Sequence, residues 1–514
     1  MPTYNVAFLV EHLWVSAPVA CLSTCAIVVL LAGAFWPAWN RTVVPVLSIL
    51  SVLITIGITL YAQRVVSGPV GMQILDDFSV VFNIILLVTT VFAILVASPY
   101  ITREGLVRGE YYALMLFATA GAMLMTASEN LIVMYLGLEL LSIPLYVLAG
   151  FARQESSSEE AAMKYFLLGS YASAFFVFGM ALVFSVAGDT SFSSILAGLR
   201  TGIQGEGIML ALGMSFVLIA LAFKVAIVPF HMWAPDVYQG APTSVTAFMT
   251  VVAKAAGFGA IIRLGVTNFE GSWQDLLWVL AALSMIWGNL LAITQDNIKR
   301  LLAYSSIAHA GYLLMGLLGG TPEGVNAALL YVAVYSAMTY GSFTVAILLA
   351  GKGDQYENIS HYRGVARKSP LLGVTMAIFM LSLAGIPPFA GFFSKLFIFM
   401  SAVQGGYVGL TVIAVLTSVV SVFYYLRVLV IMWMEEPATE PIHTASQRPT
   451  GAHQFVLVSM SAVVIFLGLF SGPVLKATRP GADAAVPILI QKEFPVETPA
   501  QPTPVSRSAT EVLQ

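Results

Sequence analysis

Long apolar stretches follow one another along almost the whole chain, separated by short polar gaps. A helix needs about 20 apolar residues to cross the hydrocarbon core of a bilayer. About fourteen stretches approach or exceed that length, and they lie near residues 15–36, 42–63, 78–98, 111–127, 130–151, 162–187, 207–230, 242–266, 273–294, 301–319, 325–350, 370–404, 408–434 and 454–474. Because the gaps leave no room for a soluble domain, the pattern predicts an all-α polytopic membrane protein with about 14 transmembrane helices.

Two of the predicted spans are interrupted by proline. In FKVAIVPFHMWAPD, Pro229 follows Lys224 by five residues, and in AGIPPFAGFFSK, Pro387 and Pro388 precede Lys395. A proline cannot donate the hydrogen bond that continues a helix. Irregular backbone near mid-membrane is typical of the discontinuous helices of transporters. We therefore expect a broken helix at Pro387 and Pro388 and a kink at Pro229, with a similar kink at Pro144, which follows Glu139 by five residues.

A weak repeat relates the two halves of the chain. Spans 4–8 can be laid over spans 9–13 at an offset of 165–171 residues, and an offset of 171 pairs Lys224 with Lys395. Aligning the two Pro-Phe pairs instead requires an offset of 159, so the register stays open. Five spans per unit make successive units cross the membrane in opposite directions, as in inverted-repeat transporters.

This repeat predicts a division of the chain into four segments. The last segment turns rich in Pro, Thr and Ala from Lys476 onward, which predicts a flexible end. The segments are 1–105 with helices 1–3, 106–268 with the first repeat, 269–436 with the second repeat, and 437–514 with helix 14 and the tail.

Composition excludes several classes of function. Hydrophobic residues make up 59% of the chain and charged residues 10%, whereas soluble domains carry about 25% charged residues. The net charge of −3 offers no basic surface for nucleic acid. The only two cysteines, Cys21 and Cys25, are too few to hold an iron–sulfur cluster by themselves, and no dinucleotide or P-loop motif is present. We therefore expect no cofactor site and no metal site in this chain.

Basic residues are concentrated in alternate loops, which predicts the orientation. The richer set comprises Arg41, Arg103, Arg108, Arg153, Lys299, Arg300, Lys352, Arg363, Arg367, Lys368 and Arg448. The opposite side has Arg200 and, mainly, basic residues of the tail. Because positive loops stay in the cytoplasm, the richer set should face the cytoplasm, and an even number of spans should place both termini outside.

Four charged residues lie inside predicted spans: Glu139, Lys224, Lys254 and Lys395. A charge at bilayer depth costs at least about 2.5–3.5 kcal/mol and marks a functional site by default. A lysine taken out of water gives up its proton more readily, so a row of buried lysines suits proton transfer. The structural alternatives are a charge paired for assembly and, for Lys395, a side chain that snorkels to the interface.

His231 follows the Pro229 break, and His309 lies in LLAYSSIAHAGY. Imidazole titrates near neutral pH, so both are candidate proton shuttles, although each also suits a structural hydrogen bond. Glu160 and Lys164, four residues apart, favour a helical ion pair over a branch of the path. Near span ends, Arg263 and Arg427 are expected to snorkel.

The motifs around these residues resemble the antiporter-like membrane subunits of NADH-quinone oxidoreductase (respiratory complex I), and most narrowly the subunit N group. LGLELLSIPLYVLAGF carries the family's glutamate at Glu139, and FKVAIVPFHMWAPDVYQGAPTSVTAF carries its broken-helix lysine at Lys224. Lys254, KRLLAYSSIAHAGY around His309, and GIPPFAGFFSK with Lys395 also fit. The resemblance extends from about span 2 to span 14 and leaves the first 40 residues and the tail unmatched.

The resemblance implies two inverted five-helix repeats in a multisubunit complex. It also implies that NADH, FMN, iron–sulfur clusters and quinone bind to other subunits, and that the partners are neighbouring antiporter-like and small membrane subunits. Protons would pass from the cytoplasm by Lys224, Lys254 and His309 to Lys395 and then outside. The bacterial inner membrane is the expected location, with the thylakoid membrane as the alternative.

Three other functions stay open from the residues alone. The chain could belong to a multisubunit cation/proton antiporter or a membrane-bound hydrogenase, which share this ancestry. It could be a stand-alone transporter of a small solute, or a scaffold whose charges hold neighbouring subunits together.

Overall fold

In a computed structural model, helices follow the apolar stretches of the sequence. The structure describes residues 6–66, 68–195, 207–265, 272–436 and 449–485. The helices are α1 Val6–Phe35, α2 Val43–Val65, α3 Asp77–Glu104, α4 Gly109–Thr126, α5 Leu131–Ala149, α6 Ser156–Ala187, α7 Gly207–Val225, α8 Trp233–Gly240, α9 Thr243–Arg263, α10 Ser272–Ile293, α11 Ile298–Leu317, α12 Pro322–Leu349, α13 Pro370–Ala384, α14 Ala390–Gln404, α15 Val408–Trp433, α16 Gly451–Leu469 and α17 Ser471–Ala485. Short 3-10 turns at Pro37–Arg41, Lys352–Asp354 and Ile359–Tyr362, one helical turn at Val365–Lys368, and a hairpin of β1 Pro69–Val70 and β2 Gln73–Ile74 lie between them.

The number of membrane crossings agrees with the prediction. Within the described residues, 11 helices are long and apolar enough to span a bilayer. The 18-residue α4 and the 20-residue α11 have spanning length, and most of their residues are enclosed by other helices, so they need little lipid-facing apolar surface. With α13 and α14 counted as one interrupted crossing, the all-α fold with about fourteen spans is confirmed.

The repeat appears in the packing of the helices. Helix α4 packs on α5 as α10 packs on α11, and α6 packs against α7 as α12 packs against α14. The helices before the two breaks end at Val225 and Ala384, 159 residues apart. The structure therefore favours the register of the Pro-Phe pairs, and the pairing of Lys224 with Lys395 at an offset of 171 is wrong. Lys224 precedes its break, whereas Lys395 follows its own.

The most enclosed helices lie where the two repeats meet. Helix α9 is buried along its whole length and packs against α12, which is also almost entirely buried. Helix α11 packs against both of them. Lys254 lies on α9 and His309 on α11, so the two candidate residues at the centre of the path occupy the best-shielded part of the bundle.

Glycines permit the close approach that places Glu139. A Cβ atom added at Gly137 of α5 would lie 2.8 Å from the main-chain nitrogen of Met125 on α4. Small residues let transmembrane helices bring their backbones together. Glu139 lies two residues after Gly137 on α5, so the position of its helical turn depends on this contact between α4 and α5.

The C-terminal prediction needs one correction. The tail expected to be flexible from Lys476 is helical as far as Ala485, as part of α17. The Thr478 hydroxyl donates to Asn326 Oδ1 at 2.6 Å, and Arg479 pairs with Glu323 at 2.8 Å. These contacts hold the part of α17 after Lys476 against α12, although its polar composition predicted a flexible segment. Residues 486–514 lie outside the described residues, and the four-segment division of the chain stays a prediction.

The expected snorkelling of Arg263 is also wrong. Arg263 is buried, and its guanidinium forms two hydrogen bonds to the Asp76 carboxylate, at 2.7 and 2.6 Å. Arg263 is therefore held by a largely buried carboxylate at the start of α3. Arg427 donates to the main-chain carbonyls of Ile293 and Gln295 just after α10, lies 3.8 Å from the exposed Asp296 carboxylate and is 26% exposed itself, so its snorkelling stays a prediction.

We predict that Asp76→Asn destabilises the fold. Burial alone raises the pKa of Asp76, but the Arg263 guanidinium and the bonds from Ser79 hold it below its ordinary value. Such a carboxyl stabilises the fold above the pKa it has in the unfolded chain, and the stabilisation is lost as pH falls through the folded pKa. Leaving Arg263 without its charge partner should cost about 3 kcal/mol.

The measurement is thermal unfolding of the solubilised protein between pH 7 and pH 3. The matched control is Asp483→Asn, whose side chain is 53% exposed and pairs with Arg479 at the surface, so its loss should cost under about 1 kcal/mol. Equal unfolding temperatures for the two variants at pH 7 would contradict the prediction.

Candidate functional site

Three buried lysines define the candidate site. Lys224, Lys254 and Lys395 are 4%, 3% and 4% exposed, and they lie on α7, α9 and α14. Among the described residues, none of the three has a carboxylate within 4 Å. Their partners are hydroxyl groups, main-chain carbonyls and aromatic rings. An ammonium with such neutral partners can lose its proton without leaving a buried anion behind.

Lys224 lies at the end of α7, directly before the break. Its Nζ donates to Ser142 Oγ at 2.8 Å and to the Tyr165 hydroxyl at 3.3 Å. Trp233, at the start of α8, stacks on Tyr165 with ring centres 4.4 Å apart and donates to the Phe223 carbonyl at 2.8 Å. At the break the chain therefore turns back, so that Trp233 covers the ring of Tyr165, the aromatic partner of Lys224.

Glu139 lies one turn before Ser142 on α5 and is only partly buried. It accepts a hydrogen bond from Ser173 of α6 and lines an open groove of 640 Å³ between these two helices. It forms no ion pair with Lys224 within 4 Å. The Ser142 hydroxyl instead accepts from Lys224 and donates to the Leu138 carbonyl at 2.5 Å.

Lys254 and His309 each bond to polar groups around α11, Lys254 to Ser306 and His309 to two tyrosines. Lys254 Nζ donates to Ser306 Oγ at 2.6 Å and also to the Ser306 carbonyl. His309, one turn further on, places Nδ1 2.6 Å from the Tyr331 hydroxyl and Nε2 3.2 Å from the Tyr425 hydroxyl. The same Tyr425 hydroxyl lies 2.5 Å from Ser305 Oγ. Each hydroxyl can both donate and accept, which suits proton transfer.

Lys395 caps the helix that precedes its own. Helix α13 ends at Ala384, and Gly385 follows with φ +82°, a left-handed conformation that favours glycine. Lys395 Nζ donates to the carbonyls of Leu383 and Ala384 at 2.9 and 3.3 Å and to Ser418 Oγ at 3.1 Å. A cation at a helix C-terminus is favourable because the terminal carbonyls carry partial negative charge.

Tyrosines connect the Lys395 end to the His309 network. The Tyr312 ring lies 5.1 Å from Lys395 Nζ and 5.8 Å from the His309 ring. Asn289 donates to the Tyr312 hydroxyl at 3.2 Å and accepts from Tyr424 at 2.9 Å. Sequence reasoning missed this aromatic component, although tyrosines inside apolar spans, such as the adjacent pair Tyr424–Tyr425, were a visible signal.

Two candidates remain outside this network. His231 is buried in the α7–α8 break, and its Nδ1 has no hydrogen-bond partner among the described residues. Lys164 pairs with Glu160 at 2.7 Å, which confirms the helical ion pair, and also with Asp236 at 2.9 Å. The structure thus places Lys254 and His309 on neighbouring polar groups of α11, since Lys254 bonds to Ser306 and His309 reaches Ser305 through Tyr425, and it places Lys395 near His309 through the Tyr312 ring. Lys224 occupies a separate site, and His231 contacts none of them.

A family model described as NADH:quinone oxidoreductase/Mrp antiporter, transmembrane, matches residues 128–421. The chain is 45% identical to NADH-quinone oxidoreductase subunit N of Trichlorobacter lovleyi over 441 residues, covering 84% of this chain and 90% of that protein. It is similar to a chain of respiratory complex I from Thermus thermophilus, with 34% identity, a TM-score of 0.76, and coverage of 90% and 100%.

A third similarity concerns the fold alone. A chain of the Mrp complex from a Dietzia species superposes with a TM-score of 0.78 at 21% identity, covering 92% of this chain and 97% of that one.

We predict that Tyr425→Phe destabilises the bundle. The substitution removes the hydroxyl that bonds to both Ser305 and His309, and buried polar groups left without a partner cost about 1–3 kcal/mol. Thermal unfolding of the solubilised protein measures the effect. The control is Tyr171→Phe, at a position 68% exposed, and indistinguishable unfolding temperatures for the two variants would refute the prediction.

Proposed function

The chain belongs to the NADH:quinone oxidoreductase/Mrp antiporter family of membrane subunits, among its subunit N members, and from this premise we propose that it is a proton-translocating membrane subunit of an NADH:quinone oxidoreductase. The observation that carries the proposal is the set of three buried lysines with neutral partners on both sides of the repeat interface. A cation held only for assembly would be expected to pair with an acid.

The proposed path runs from Lys224 by Lys254 and His309 to Lys395. Between the first two lysines lie the stacked rings of Tyr165 and Trp233 and then Tyr238, whose hydroxyl is close to Ser306. Protons enter from the cytoplasmic side and leave to the outside, and bound waters complete the steps that exceed hydrogen-bonding distance.

Glu139 acts in this proposal as the group that switches Lys224. Two unit charges about 4 Å apart at an effective dielectric constant of 20 interact by about 4 kcal/mol. Moving one charge against 100 mV takes about 2.3 kcal/mol. The energy of forming and breaking one such ion pair is therefore sufficient to move a proton against a membrane potential below roughly 200 mV. Lys224 donates to Ser142 and forms no ion pair with Glu139, and in this proposal that arrangement corresponds to the open state of the pair.

The energy comes from redox chemistry in other subunits. We infer that NADH, FMN, iron–sulfur clusters and quinone bind there, that neighbouring antiporter-like and small membrane subunits flank this chain, and that the complex lies in a bacterial inner membrane. Within the described residues no group of three or more His, Cys, Asp or Glu side chains is arranged to hold a metal ion. His231 remains a proposed shuttle without an assigned step.

The decisive experiment compares Lys224→Ala with the wild type in inverted membrane vesicles. Quinone reduction and vesicle proton uptake are followed together, and native gels monitor assembly. We expect an assembled complex in which electron flow and proton uptake fall together, because the two are coupled. The matched control is Lys368→Ala, an exposed lysine outside the path. Unchanged uptake in an assembled Lys224→Ala complex would refute the relay.

A second variant tests the switch itself. Ser142→Ala removes a hydrogen bond to the protonated lysine worth about 1.5 kcal/mol, so the protonated population of Lys224, and turnover with it, should fall by up to roughly tenfold. Ser48→Ala removes an equally buried serine that also donates to the carbonyl four residues back, and it should leave turnover unchanged. If both variants turn over at the wild-type rate, Ser142 is not the resting partner of Lys224.

A further inference from the structure

Helix α9 begins without a cap of its own. The residue before it is Pro242, which has no side-chain oxygen to accept from the first N–H groups. The N–H groups of Val245 and Thr246 reach the Pro242 carbonyl at 2.9 and 3.0 Å. Because every residue of α9 is buried, the first N–H, that of Thr243, needs a partner from another part of the protein.

Asp354, from the loop between α12 and α13, supplies the nearer partner, and the Tyr100 hydroxyl also accepts from the Thr243 N–H at 3.2 Å. Asp354 Oδ2 accepts from the Thr243 N–H at 3.0 Å, from the Thr243 hydroxyl at 2.6 Å and from the Tyr100 hydroxyl at 2.8 Å. The other carboxylate oxygen faces Arg103 at 3.8 Å. A carboxylate at a helix N-terminus is favourable because the free N–H groups carry partial positive charge.

The loop backbone is shaped to deliver this carboxylate. Asp354 has φ +49°, in the left-handed region that Asp and Asn tolerate better than most other residues. Gly353 precedes it with φ +70°, and its N–H donates to Glu104 Oε2 at 2.6 Å. The contact therefore spans 111 residues between Thr243 and Asp354 and joins the second repeat to the first.

The α12–α13 loop also binds the start of α11, through Lys299. Lys299 is 2% exposed, and its Nζ donates to the Ala241 carbonyl at 3.0 Å. It also pairs with Glu357 at 2.5 Å and with Asp354 at 3.9 Å. The N-terminal ends of α9 and α11 are thus fixed to one another through the α12–α13 loop.

These two helices carry the central contact of the path. Lys254 follows Thr243 by eleven residues, three helical turns and about 16 Å along α9. Ser306 follows Lys299 by seven residues, two turns along α11. We propose that Asp354 is a positioning residue for proton transfer, which sets the register of α9 against α11 and so holds Lys254 on Ser306. This inference rests on the role of Lys254 in the proposed function.

The test is a double-mutant cycle on the assembled complex in inverted vesicles, with the rate of proton uptake as the readout and quinone reduction followed alongside it. Asp354→Ala should lower the rate of proton uptake about threefold or more. In a Lys254→Ala background the same substitution should add no further loss, because residues that act through one another are not additive. A loss that multiplies in the Lys254→Ala background would overturn the proposal.

Asp354→Asn separates positioning from charge. Asparagine tolerates the same backbone conformation and keeps an oxygen acceptor for Thr243, so this variant should retain most of the wild-type rate of proton uptake. If it is as deficient as Asp354→Ala, the proposal is wrong. Should Asp354→Ala fail to assemble, Thr243→Val, which removes one of the three donors, should give a smaller loss that also vanishes in the Lys254→Ala background.

Two controls separate this inference from the proposed function. Asp296→Ala removes a loop carboxylate that is 87% exposed and should leave the rate of proton uptake unchanged. If Lys254→Ala alone leaves proton uptake intact, the relay fails at Lys254. If Lys254→Ala lowers uptake and Asp354→Ala does not, the relay stands and only the positioning role is wrong.

Discussion

A lysine ammonium inside an apolar bundle must be surrounded by oxygen atoms, and this requirement shapes the helices around it. Lys395 meets it with the two carbonyls that end α13, so the break in the helix is what makes the burial tolerable. Lys254 meets it with Ser306, whose side chain and carbonyl both face the lysine. Without these oxygens each charge would cost several kcal/mol.

The groups that contact the buried lysines and arginines differ between the middle of the helix bundle and its ends. At the ends, cations pair with acids, as Arg263 does with Asp76 and Lys299 with Glu357. Such pairs hold their charges in place. In the middle, the lysines contact hydroxyls and carbonyls, which stabilise the protonated form only moderately, so a proton can be gained or lost there.

The two breaks serve their lysines in different ways, although the repeats share one architecture. Lys224 precedes its break and contacts side chains of α5 and α6, where Glu139 is one turn away from its serine partner. Lys395 follows its break and contacts main-chain carbonyls that cannot ionise. The first lysine therefore has an ionisable side chain nearby, which is the basis of the switch proposed for it, whereas the carbonyls around the second carry no titratable group.

The sequence by itself determined the spans, the positions of both breaks, the four charges inside spans and the family, because hydropathy, proline and local motifs are properties of neighbouring residues. Tertiary structure alone decided which groups meet across the chain. His309 and Tyr425 are 116 residues apart, and Arg263 and Asp76 are 187 apart. The tertiary structure also decided the register of the repeats and the docking of α17, because both depend on how the helices pack. Hydropathy could not decide them, since it is the same for every arrangement that buries the same residues.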